Sequence, residues 1–106
     1  MLVVTTENVP HYRVTELKGQ CFGVVVRSRG LGGNIMAGLR SIAGGEIKEY
    51  TALVEDTRRH AIDRLVMNAQ LMGADAVVMM RFDSGSIGQT MNEVVAYGTA
   101  VKLAPA

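Results

Sequence analysis

Cysteine occurs once, at Cys21, in a chain of 106 residues, so no internal disulfide can staple the fold. Tryptophan is absent and aromatic residues make up only 5% of the chain. The apolar mass is therefore Val, Ala, Leu, Ile and Met, which favours tight aliphatic packing. Charge of one sign is also lacking: eleven basic residues against ten acidic ones leave a formal net charge of +1. Such a balance provides no field that would gather nucleic acid or an anionic membrane, and neither is expected as a partner. Long hydrophobic runs are missing as well, because Arg, Glu or Gly interrupts every Val-rich stretch well short of the ~20 residues that cross a bilayer. The start, Met1 to Glu7, lacks the basic residues and apolar run of a signal peptide, which points to the cytoplasm. The length suits one domain, long enough to bury a core without staples.

What the chain does have is a rod. From Glu46 to Met72 there is neither glycine nor proline, with Gly44-Gly45 before the stretch and Gly73 after it. Ile47, Tyr50, Val54, Ala61, Leu65, Ala69 and Met72 form one apolar stripe, widened by Leu53, Ile62 and Val66. Glu55 with Arg59, and Arg59 with Asp63, form i,i+4 pairs on the exposed side. Such a helix is roughly 40 Å long at ~1.5 Å per residue, whereas a compact domain of this size has a radius of gyration near ~13 Å. A single small domain would leave part of it uncovered, so further copies of the same chain are the expected cover.

Strands flank the rod. Leu2 to Thr5 and Tyr12 to Leu17 are rich enough in β-branched residues, and Asn8-Val9-Pro10 turns between them. Cys21 to Arg27 follows, and Lys18-Gly19-Gln20 reads as a bulge in one long bent strand, with a hairpin as the alternative. Ile35, Met36, Leu39 and Ile42 recur at helical steps and suggest a short helix capped at Asn34. Ala76 to Phe82 and Glu93 to Leu103 should pair antiparallel across the loop Asp83 to Gln89. Alternation puts Ala76, Val78, Met80 and Phe82 on one face and Val77 and Met79 on the other. With apolar residues on both faces of the sheet, one face is expected to meet the helix and the other a neighbouring subunit or sheet.

Candidate chemistry is sparse. Arg27-Ser28-Arg29-Gly30-Leu31-Gly32-Gly33-Asn34 joins a strand to a helix start through a glycine-rich turn with two guanidinium groups. Backbone N–H groups there can hold an anion, which makes Arg27, Arg29, Gly30, Gly32, Gly33 and Asn34 candidate ligand-binding residues. The turn matches neither the dinucleotide fingerprint nor the P-loop, and a plain chain reversal explains it equally. Cys21 is the candidate for a divalent or soft metal ion, although Cys21, His11, His60 and the seven methionines never reach metal-site spacings. Symmetric copies converging on an axis could complete such a site. His60, beside Arg58, Arg59 and Arg64, reads as a solvated helix residue, and Cys21 equally as a small buried hydrophobe. No catalytic pair is selected by spacing, so an enzyme is not expected.

Phe22 to Arg29, Gly38 to Thr51, Ala69 to Val78 and Glu93 to Val101 together resemble the YbjQ-like family of small bacterial proteins, which carries a heavy-metal-binding label. That resemblance spans nearly the whole chain. It implies an α+β subunit in which an antiparallel sheet of three to four strands packs on one long helix plus one short helix, in a dodecin-like arrangement. It also implies a ring-shaped homo-oligomer, a pentamer, and it brings no catalytic motif and no ligand set.

Overall fold

A computed structural model describes residues 1–28, 48–89 and 91–106. In chain order these form β1 (Leu2–Val3), β2 (Tyr12–Ser28), α1 (Lys48–Leu71), β3 (Ala76–Ile87) and β4 (Met91–Pro105). The strands make one sheet in the order β1-β3-β4-β2. The expected short helix from Ile35 to Ile42 lies outside the described residues.

The chain is α+β, but the sheet is mixed and not purely antiparallel. β2 and β3 both run antiparallel to β4, whereas Leu2 and Val3 lie parallel to Ala76 and Val77. Parallel neighbours need a crossover. β2 and α1 supply it, since both lie between β1 and β3 in the chain.

β2 is one long strand, as the bulge reading has it and the hairpin alternative does not. Its pairing with β4 slips between Val14 and Glu16 and again between Leu17 and Gly19, where Gly19 takes φ +120°. That conformation is open to glycine at little cost, which lets the strand bend without ending.

α1 lies on one face of the sheet, mainly over β2. Thr57, Ala61, Leu65 and Ala69 are buried at steps of four, and the Thr57 hydroxyl donates to the Leu53 carbonyl at 2.7 Å. Beneath them Cys21, Val25, Val77, Met80, Val94, Ala96 and Ala100 complete the main core. Helix and strand approach closely at Gly23, where an added Cβ would overlap the Ala61 carbonyl oxygen and the Leu65 amide nitrogen. The helix ends at Gly73, φ +77°. The Gly73 amide donates to Gln70 O at 3.0 Å and the Ala74 amide to Ala69 O at 3.1 Å, a Schellman cap.

The first turns of α1 overhang the sheet. Leu53 and Val54, expected within the buried stripe, are 40% and 47% exposed. The protomer measures 54 × 26 × 16 Å with a radius of gyration of 17.2 Å, well above the ~13 Å of a compact domain of this length.

β3 corrects the expected alternation. Between Val78 and Arg81 it carries one residue more than β4, and Met79 takes φ +55°. The extra residue reverses the phase: Ala76 and Val78 face away from the helix, while Met80 and Phe82 join Val77 on the helix side. The N-terminal segment satisfies the displaced backbone. Met79 and Met80 amides donate to Thr6 O at 3.1 Å and Val4 O at 3.0 Å, and Arg81 Nη1 donates to Thr5 O at 2.8 Å. Val4 and Val9 then cover Ala76, Val78, Val101 and Leu103 as a second, smaller core. The hairpin is also longer than expected, since Asp83 to Ile87 pair with β4 and the turn is confined around Gly88, φ +62°.

Candidate functional site

Of the glycine-rich candidate, Arg29, Gly30, Gly32, Gly33 and Asn34 lie outside the described residues. Arg27 is described, and its partners come from the helix. Its guanidinium Nη2 lies 3.4 Å from Asp56 Oδ2 and also contacts His60 Nδ1. A guanidinium can only donate, so Nδ1 is the accepting side of any hydrogen bond there. The other ring nitrogen, Nε2, faces Asp56 Oδ1 at 3.8 Å. Arg27 Nε is buried and has no partner among the described residues.

The cluster heads a row. Asp56, His60, Arg64 and Asn68 follow one another at steps of four, one residue before each of the buried Thr57, Ala61, Leu65 and Ala69. Arg64 Nη1 donates to Val24 O and Asn68 Nδ2 to Phe22 O, both at 2.6 Å. His60 is thus part of a helix-to-strand clasp and not merely a solvated side chain. Sequence reasoning took up the Glu55–Arg59 pair, which forms at 3.8 Å, and passed over this row. The available signal was a polar stripe immediately beside the apolar one.

Cys21 is 2% exposed, and its thiol donates to Leu65 O at 3.2 Å. Burial pushes the thiol's pKa up against a smaller opposing backbone hydrogen bond from Phe22. The thiolate, which is the metal-binding form, is disfavoured there. In the hairpin, Asp83, Ser84, Gly85, Glu93 and Val95 line a shallow hollow of about 90 Å³ with two carboxylates. Among the described residues no three His, Cys, Asp or Glu side chains form a group able to hold a metal ion.

The open face of the sheet offers something different. Phe22, Val24 and Val26 are 47%, 40% and 48% exposed, and Tyr97, opposite Phe22 on β4, is 39% exposed. These side chains form an exposed apolar row on the face of the sheet that the helix leaves open.

The family profile with the description "Putative heavy-metal-binding" matches residues 1–104. The chain belongs to this YbjQ family. A UPF0145 protein of Bradyrhizobium sp. is 69% identical over 106 residues, covering 100% of this chain and 96% of the relative. A UPF0145 protein of Picrophilus torridus is 54% identical over 105 residues, covering 99% of this chain and 89% of that protein. The family therefore reaches into archaea and is not confined to bacteria. In fold, the chain is similar to a DUF74-family protein of unknown function from Pediococcus pentosaceus, with a TM-score of 0.70, 14% identity and 98% of each chain covered.

A heavy metal does not fit the described residues of one YbjQ protomer. Its cysteine is held as a buried thiol, and His60 is engaged by Arg27 and Asp56. No helix among the described residues is long and apolar enough to cross a membrane.

Proposed function

We propose that this YbjQ protein is a cytoplasmic, non-enzymatic binding protein that works as a ring of identical copies, a pentamer, with its ligand held between subunits or along the central axis. The observation that carries the reading is the apolar row Phe22, Val24, Val26 and Tyr97 on the open face of the sheet. The overhanging Leu53 and Val54 on α1 support it in the same way. The two patches lie on different elements, so a contact between them would be heterologous and would close into a ring when the rotation allows.

The ligand class follows the family's description: a heavy-metal ion, or another small ligand. Since the described residues of one chain do not gather three metal-binding side chains, a metal would need donors from more than one copy, and a site from symmetry-related groups meets that need. The glycine-rich sequence that follows Arg27 lies outside the described residues and belongs to this proposal as an anion-binding candidate. A ring without ligand, serving only as structure or docking platform, is the second reading, and it rests on the same exposed patches.

Native mass spectrometry and elemental analysis of untagged protein test both. A discrete pentamer carrying stoichiometric metal or a retained small molecule supports the binding reading. A pentamer that is empty and takes up neither zinc nor copper, with no thermal shift from phosphate, sulfate or nucleotides, leaves the structural reading standing.

A further inference from the structure

Among the described residues β2 is an outer strand of the sheet. Strands in that position present a row of backbone N–H and C=O groups to any chain able to extend beside them. Alternate residues direct their carbonyls to the same edge, so Phe22 and Val24 share one. The helix settles which edge. Its flank at Arg58 and Ile62 turns toward the main core and β3, with the Arg58 guanidinium 5.0 Å from the centroid of the Phe82 ring. The opposite flank, at His60, Arg64 and Asn68, therefore hangs over the open side of β2.

From that flank Asn68 donates to Phe22 O and Arg64 to Val24 O, each at 2.6 Å. The spacing explains why both bonds form together. Four helical residues advance about 6 Å, and two strand residues advance about 6.6 Å, so the row and the edge stay in step over this stretch. One step further, Asp56 and His60 hold Arg27.

We infer that Arg64 and Asn68 are edge guards: they occupy the acceptors that an incoming strand's N–H groups would use, and so keep a second copy from extending the sheet at Phe22 to Val24. Copies are then left to meet through the open sheet face. That consequence rests on the assembly proposed above, whereas the guarding does not.

The test uses the full chain and a fluorescent peptide reproducing Gln20 to Ser28 with serine at the cysteine. Wild type should not bind it. R64A/N68A should bind it saturably and at least ~10-fold more tightly, the equivalent of about one hydrogen bond. The same peptide N-methylated at alternate amides should lose that binding. R64K/N68Q, which keeps a donor at each position, should behave as wild type. Circular dichroism checks that each variant keeps its helix, and the single variants R64A and N68A serve if the double one does not. Equal peptide binding by wild type and folded R64A/N68A, or none by either, would overturn the guard. A wild type that sediments as a monomer would remove the ring while leaving this comparison readable.

Discussion

Alternate residues in the second half of β2 meet two opposite environments. Cys21, Gly23 and Val25 lie under α1, buried against Ala61, Leu65 and Ala69, while Phe22, Val24 and Val26 stand open on the other face. The covered face achieves closeness by small size: glycine on the strand and alanines on the helix let the two backbones approach. On the open face the side chains are large and apolar, and among the described residues nothing covers them. Close packing within the chain and an exposed apolar row thus occupy neighbouring positions of one strand.

The largest expected effect comes from overfilling the covered face. Gly23→Val forces a side chain into the helix backbone and should cost upwards of about 3 kcal/mol, seen as loss of soluble folded protein or collapse of the denaturation midpoint. Unchanged stability would mean that α1 does not lie where Gly23 requires it. Leu65→Ala, which empties the centre of the same face, should cost about 2–5 kcal/mol by urea denaturation.

Open-face changes should separate assembly from folding. Phe22→Ser with Val24→Ser is expected to alter denaturation of the dilute protomer by no more than about 0.5 kcal/mol, yet to break the oligomer in sedimentation. A substituted chain that remains fully assembled would move the contact elsewhere.

Smaller effects come from two titrating groups. Burial raises the Cys21 pKa in the fold. The thiol's contribution is therefore fully present below its unfolded pKa and is lost as pH rises through the folded one. Cys21→Ala should flatten this alkaline limb of stability, and alkylation of native Cys21 at neutral pH should be slow. Asp75 is shifted the other way, lowered chiefly by the Leu103 amide and then by Lys102, which lie at 2.8 and 3.2 Å. Its contribution is present above the unfolded carboxylate range and is lost as pH falls through the folded pKa. Asp75→Asn should remove a minor acid limb and leave neutral pH behaviour otherwise alike.

The covered face was the more legible of the two. The four-residue recurrence of Ala61, Leu65 and Ala69, the Gly73 stop and the single bent β2 follow from periodicity and from glycine's conformational range. The rod's excess length was readable too, and Leu53 and Val54 are the overhang it implied. Three features escaped. The Met79 bulge is not marked by a glycine, so strict alternation assigned Met80 and Phe82 to the wrong face. β1 has only Leu2 and Val3 in the sheet, and its parallel pairing depends on where β3 begins after the crossover. The Arg27, Asp56 and His60 clasp joins residues about thirty positions apart, a contact that local pattern does not encode. In the candidate site, sequence singled out Arg27 but not its partners, and Cys21's second reading, a small buried hydrophobe, matches its place in the core.

Sedimentation velocity of the untagged chain at micromolar concentration decides whether sister copies cover the open sheet face and the overhanging helix. One sharp oligomeric species, a pentamer, is expected, and it should fall apart when Phe22 and Val24 become serine. A well-folded wild-type chain that sediments as a single protomer at the same concentration would contradict that expectation.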